Sequence, residues 1–177
     1  MNIQEFFLKS VGEWNSMRSG HSLAFKEFEE IRSKLKIVPS KSNDSRVIKF
    51  LKDNLITINT VNKAFLINWE AKSDWDEENQ KENSFGESIL VPIEINKTEG
   101  KIIRSLGYTE PIEIVSPYRI LDNGTLIIYS DYRNICTEER IWFVSNNLRI
   151  RTSVTRTRDS LAILQTSYAS EIRSIEN

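Results

Sequence analysis

The sequence predicts an all-β fold, an antiparallel up-and-down barrel of about ten strands with short helices near its N-terminus. Three observations carry this. Runs near 14–25, 33–38, 62–71, 86–95, 101–107, 111–120, 125–132, 137–144, 148–157 and 160–173 alternate apolar with polar residues or are β-branched. Turn-forming pairs such as Asn96-Lys97, Asp122-Asn123-Gly124 and Asn146-Asn147 separate several of them. Helical periodicity is confined to the beginning of the chain. Strands at this spacing indicate a sandwich or an up-and-down barrel. With no Gly/Ser/Pro-rich linker and no internal repeat, residues 1–177 read as a single domain, long enough to bury a full core.

The first ten residues predict a short helix with Asn2 as N-cap, Glu5 completing a capping box, and Phe6 and Phe7 on its apolar side. A second helix fits Asp44 to Lys52, with Ser42, Asn43 or Asp44 as cap and Val47, Ile48 and Leu51 on one stripe. Residues 74–83 are acidic and polar and read as a loop. Lysines and arginines number 24 against 25 acids, which lacks the basic excess expected of a nucleic-acid binder. A single cysteine, Cys136, excludes an intramolecular disulfide framework and suits a reducing compartment. No apolar run approaches the roughly 20 residues needed to span a bilayer. The opening Met1-Asn2-Ile3-Gln4-Glu5 lacks a basic n-region, so a cytoplasmic chain without membrane contact is expected.

Gly12-Glu13-Trp14 favours the barrel over the sandwich. A short helix followed by Gly-x-Trp at the start of the first strand resembles the lipocalin signature, in which the Trp plugs the closed end. The implied fold is lipocalin-like or fatty-acid-binding-protein-like. If Trp14 points inward, the period of two sends Ser16, Arg18, Gly20 and Ser22 inward as well. An inward arginine needs an anionic partner, because an unpaired buried charge is costly. That partner is either a ligand or an inward acid such as Glu171. His21 falls on the opposite face.

Glu138 to Ser153 reads as a β-hairpin whose second strand carries Arg149 and Arg151 two residues apart. Both guanidinium groups therefore leave one face, about 7 Å apart along the strand, which suits a lumen holding an anionic ligand; a solvated outer face is the alternative. A two-residue turn at Asn146-Asn147 would place Trp142 beside Arg151. A three-residue turn with Asn147 left-handed instead groups Glu139, Ile141 and Phe143 with Arg149, Arg151 and Ser153, and is preferred. In the last strand Ser167, Ala169, Glu171 and Arg173 share a face, small residues beside a carboxylate, as around a cavity with a polar group in it. Trp69 shares a face with Ile67 and Phe65. Trp75 stands among charges, where an aromatic side chain implies a flat ligand or a partner. Asp74-x-Asp76-x-Glu78 fails as a calcium loop because the glycine position is Asn79 and the twelfth is Phe85. No phosphate loop, Cys/His zinc cluster or nucleophile elbow is present, and no metal or separate cofactor is expected.

Taken together, Glu5-Phe6-Phe7, Gly12-x-Trp14, Arg18-x-x-His21-x-Leu23, Trp69, Asp74-Trp75-Asp76, Glu138-Glu139-Arg140-Ile141-Trp142-Phe143, Asn147-Leu148-Arg149-Ile150-Arg151-Thr152-Ser153 and Ser170-Glu171-Ile172-Arg173 resemble the S-type phycobiliprotein lyases, the CpcS/CpeS family. The pieces run in order from residue 5 to 173. The resemblance implies a barrel that binds a linear tetrapyrrole, phycoerythrobilin or phycocyanobilin, as substrate. It would attach the bilin by a thioether to a cysteine of a phycobiliprotein subunit, a phycoerythrin or phycocyanin β chain. A homodimer is compatible with it.

The roles implied follow the chemistry of a flat, apolar dianion. Arg18, Arg149 and Arg151 would hold propionates by charge-assisted bonds. Trp69 and Trp75 would stack on pyrrole rings, and Ser22 and Ser153 would complete the bilin-binding set. Glu139 and Glu171 would be the catalytic carboxylates, protonating the pyrrole nitrogens and making the A-ring ethylidene more electrophilic. The nucleophile belongs to the acceptor. A non-catalytic bilin-binding chaperone and a fatty-acid barrel are the competing readings.

Overall fold

A computed structural model of the chain describes residues 1–40, 44–53, 63–73, 84–105 and 114–174. Helix α1 (Ile3–Ser10) begins with the expected capping box: the Asn2 side chain accepts from the Glu5 backbone N–H and the Glu5 carboxylate accepts from that of Asn2, each at 2.9 Å. Ten strands and one further helix follow: β1 (Gly12–Ser22), β2 (Glu27–Pro39), α2 (Ser45–Asp53), β3 (Phe65–Ser73), β4 (Ser84–Glu94), β5 (Glu99–Arg104), β6 (Ile114–Ile120), β7 (Leu126–Tyr132), β8 (Ile135–Phe143), β9 (Leu148–Thr157) and β10 (Ile163–Arg173). Each strand pairs antiparallel with the next, and β1 pairs with β10. The sheet therefore closes on itself as a barrel, leaving no edges, and the sandwich is excluded.

The first hairpin departs from expectation. β1 ends at Ser22, three residues early, and β2 begins at Glu27 rather than 33. The missed segment, Glu27-Phe28-Glu29-Glu30-Ile31-Arg32, is too charged to read as a strand. It pairs nonetheless, because its partner β1 extends alongside it. A turn over 23–26 with left-handed Lys26 (φ 58°) makes the connection.

One end of the barrel is stoppered. Ile3, Phe6 and Phe7 of α1 pack with Trp14, Ile37, Phe65, Ile102, Leu126 and Ile128, which project inward from the wall. Each such side chain fully removed from water contributes about 1.5–3 kcal/mol. The Trp14 indole N–H donates to the Ser10 carbonyl at 2.9 Å, closing the turn between helix and first strand. Arg173 fastens the same corner from the far end of the chain. Its guanidinium donates to the carbonyls of Val11 and Lys9 and lies 4.2 Å from the Trp14 ring. Gly12, at φ 128°, passes so close to Arg173 that a β-carbon there would meet its guanidinium.

Helix α2 lies outside the barrel. The Asp44 carboxylate accepts from the Arg46 backbone N–H at 3.0 Å and starts it, one of the three caps foreseen. Its buried face, Val47 and Leu51, covers Leu66, Ile89, Val91 and Ile103 on the outer side of β3–β5. Both faces of that wall are thus apolar, whereas the β10–β1–β2 wall keeps a solvated outer face with Met17, Tyr168 and Ile172 exposed.

Candidate functional site

Above the stopper the lumen is a cavity of about 690 Å³, within the range usual for small-molecule sites. Its wall follows from the period of two: Ser16 and Arg18 from β1, Trp69 and Ala71 from β3, Glu139 and Ile141 from β8, Arg149, Arg151 and Ser153 from β9, and Ser167, Ala169 and Glu171 from β10 all face it. The β8–β9 hairpin takes the preferred register, with Phe143 opposite Arg149, Ile141 opposite Arg151 and Glu139 opposite Ser153. Its turn is reached differently, however: Asn147 is not left-handed, and the backbone N–H groups of Val144 and Ser145 both donate to the Leu148 carbonyl.

The inward charges form one chain. Arg149 and Glu171 lie opposite each other on β9 and β10, and both are 2 % exposed. The Arg149 Nε donates to Glu171 Oε2 at 2.5 Å. Glu171 Oε1 lies 3.6 Å from the Arg151 Nε, and Glu139 Oε1 lies 3.8 Å from Arg151 Nη1. Burial pushes the Arg149 pKa down to about 10, against the pull of Glu171, and neighbouring Arg151 adds to the fall. For Arg151 burial acts in the same direction, but Glu171 and Glu139 outweigh it and the pKa rises. Its side chain remains 34 % exposed, turned toward the lumen.

The chain continues into a residue that the sequence reading missed. Arg104, the last residue of β5, reaches along the wall past β6 and β7, donating from Nη2 to the hydroxyls of Ser130 at 2.9 Å and Ser116 at 3.4 Å. Its Nη1 lies 3.6 Å from Glu139 Oε2. Small side chains at Ser116 and Ser130 leave the space this requires. Ile102 and Arg104 share a face by alternation, and Ile102 is buried in the stopper, so the signal was present. The order is thus Arg104, Glu139, Arg151, Glu171, Arg149. Arg104 Nε, Arg149 Nη2 and Arg151 Nε are buried without a hydrogen-bond acceptor. Such groups are costly to leave unmade.

The other expected residues divide. Arg18 faces the lumen, but Glu171 is not its partner, since that carboxylate is occupied by Arg149 and Arg151; among the described residues Arg18 makes no ion pair. Gly20 and Ser22 do not line the cavity: they lie at the mouth end of β1, with Ser22 between Gln165 and Glu27. Ser153 lines the lumen and shares a hydrogen bond with Ser167 at 2.7 Å. Trp75 and the acidic segment around it lie outside the described residues. His21 is exposed and rests edge-on against Phe28.

Trp69 lines the cavity directly opposite Gly86, where a β-carbon would overlap the indole ring. Gly86→Ala is therefore expected to displace Trp69, seen as a shift of tryptophan fluorescence in a chain that keeps its β-sheet circular dichroism. An unchanged emission spectrum would mean that the ring has room to move without consequence.

Fold and lumen together define a lipocalin-like barrel, closed at one end, whose cavity is lined by aliphatic and aromatic walls with unsatisfied guanidinium donors. The CpeS-like protein family matches residues 2–174. A relative from Trichodesmium erythraeum named chromophore lyase CpcS/CpeS 3 is 41 % identical over 176 residues, covering 98 % of this chain and 100 % of its own. A Picosynechococcus protein named phycocyanobilin lyase subunit CpcS is 26 % identical over 155 residues, covering 88 % and 78 %. The solved S-type phycobiliprotein lyase CPES of Guillardia theta superposes with a TM-score of 0.87 at 30 % identity, covering 100 % of this chain and 95 % of that one. Rv2717c of Mycobacterium tuberculosis, at 5 % identity and a TM-score of 0.56, shares the fold alone. The chain belongs to the CpeS-like family.

Proposed function

We propose that this chromophore lyase binds a linear tetrapyrrole, phycoerythrobilin or phycocyanobilin, in its lumen and joins it to a cysteine of a phycobiliprotein subunit. A phycoerythrin or phycocyanin β chain is the acceptor that this reading favours. The observation that carries it is the chain of arginines and glutamates with guanidinium N–H groups left over, set in an apolar cavity. A dianionic, flat, apolar ligand meets both needs. Its propionates accept from Arg18 and Arg151, its rings lie against Trp69, and Ser153 orients a propionate. Trp75 and Ser22 complete the bilin-binding set.

The reaction is a net addition. The acceptor thiol adds across the A-ring ethylidene double bond, sulfur to one carbon and a proton to the other, with no change of oxidation state. Glu139, between Arg104 and Arg151 and 17 % exposed, is the carboxylate a ligand reaches. It accepts from the pyrrole N–H groups, so that a proton on the bilin is stabilised and electron density is drawn from the A ring. Glu171 is committed to two guanidiniums and acts by fixing Arg149 and Arg151 where the ligand needs them.

Purified chain, bilin and apo-acceptor should give a thioether adduct at a defined acceptor cysteine, located by mass spectrometry, faster than bilin and acceptor alone. Cys136 is free and half-buried on β8, with no histidine or second cysteine facing it across the ladder. Cys136→Ser is accordingly expected to transfer bilin at the parent rate. Adduct formation no faster than the uncatalysed reaction, with bilin still bound, would turn the reading into that of a carrier.

A further inference from the structure

The outer face of the β10–β1–β2–β3 wall carries a feature that the lumen chemistry does not use. A groove of about 480 Å³ runs between Met17 and Ile172 on one side and Arg32, Lys34 and Lys72 on the other. Met17 and Ile172 are 52 % and 57 % exposed. Arg32 stands directly opposite both Met17 on β1 and Lys72 on β3. Like charges opposite each other across a ladder are destabilising, and among the described residues Arg32, Lys34 and Lys72 form no ion pair. Three carboxylates share this face: Glu70 opposite Lys34 and Glu30 opposite Ser19, which both have partners of their own, and Glu13, which pairs with Lys36 at 2.7 Å and also feels the charge of Lys34. An exposed apolar strip beside three cations that make no ion pair is complementary to an acidic, partly apolar surface.

The groove also communicates with the site. Ser16, Ser33 and Ala71 line both it and the lumen, so one sheet thickness of small residues separates them. Met17 points out where its neighbour Arg18 points in. Toward the mouth the exposed strip continues through Tyr168 to Phe28 and ends at Phe25 in the β1–β2 turn. A protein seated here reaches over the rim on the side where β1 and β10 carry Arg18 and Ser167. A second copy of the chain fits less well: isologous pairing would bring the three cations of each copy into one interface.

We infer that this groove is where the acceptor protein docks, through an acidic surface bearing an apolar residue that inserts between Met17 and Ile172. The inference rests on the lyase reading above. The experiment uses the full chain, with bilin affinity read by absorption titration and transfer read as the dependence of initial rate on acceptor concentration. The triple variant Arg32→Glu/Lys34→Glu/Lys72→Glu should keep the parent bilin affinity and spectrum while its KM for acceptor rises by about tenfold or more. Added salt should raise the parent KM and lower that of the variant, because it screens the repulsion between the introduced glutamates and the acidic partner. Met17→Ser/Ile172→Ser, also exposed and so without cost to the fold, should raise acceptor KM severalfold at any salt. Parent-like acceptor KM in both variants would overturn the docking site alone. So would a parent dimer, seen by sedimentation, that the triple variant dissociates without change in acceptor KM, since the face would then belong to a second copy. A parent that forms no adduct would overturn the lyase reading itself, and the docking inference with it.

Discussion

Arg149→Ala is expected to lower the free energy of unfolding by about 3–5 kcal/mol, the usual cost of stranding one member of a buried ion pair. Glu171 is 2 % exposed and takes its shortest bond from Arg149. With that partner gone, its remaining contact is Arg151 at 3.6 Å, too long for a hydrogen bond. Glu171→Ala should cost a similar amount, leaving Arg149 against Trp14 with no acceptor. Replacing both with apolar residues of like volume, Arg149→Met/Glu171→Leu, should recover most of the loss, because desolvation of the pair offsets much of its attraction. Denaturant midpoints of the two single variants and the double variant measure this directly. Single variants at the parent midpoint would show that water reaches the pair, contrary to its burial.

The second large effect falls on binding and chemistry instead of stability. Arg151 is partly exposed toward the lumen and holds both Glu139 and Glu171 at ion-pair distance. A hydrogen bond to a charged group contributes roughly 1.5–3 kcal/mol, and about 1.4 kcal/mol is a tenfold change in affinity. Arg151→Ala should therefore weaken bilin binding tenfold or more while the fold persists. Glu139→Gln keeps the size and some hydrogen bonding but not the charge that stabilises a proton on the bilin. Its complex should bind within about an order of magnitude of the parent, absorb to the blue, and transfer the pigment much more slowly. Parent-like spectrum and transfer in Glu139→Gln would leave positioning by the arginines as the whole mechanism.

These two arginines mark how far the sequence could be read. Alternation put Arg149 and Arg151 on one face, and the preferred three-residue turn set the hairpin register that places Glu139 on that face too. Depth was not legible. One arginine lies against the stopper and the other opens to the cavity, a difference set by the helix packed beneath them and not by the strand itself. The Glu171–Arg149 pairing was missed for a related reason. Arg18 shares an inward face with Glu171, but the register places it opposite Ala169 and gives Glu171 to Ser16 and Arg149. Arg104 escaped because its strand is short and ends on it, and its partners Ser116, Ser130 and Glu139 come from three other strands. The first half of β2 looked like a loop because its charges are outward or at the mouth, where burial sets no pattern. Capping chemistry, by contrast, is local, and both helix starts were found from a few residues each.

The stopper gives the barrel a direction in time. A vessel blind at one end returns its contents in reverse order of loading: whatever portion of a long ligand goes in first comes out last. The portion left at the rim is the one an outside thiol can attack. On the proposed lyase reading, regiochemistry would be decided as the pigment is taken up, before any acceptor arrives, by which end Arg151 draws down toward the stopper. Helix α1, which touches no reacting atom, would in this way help to choose the carbon that is joined.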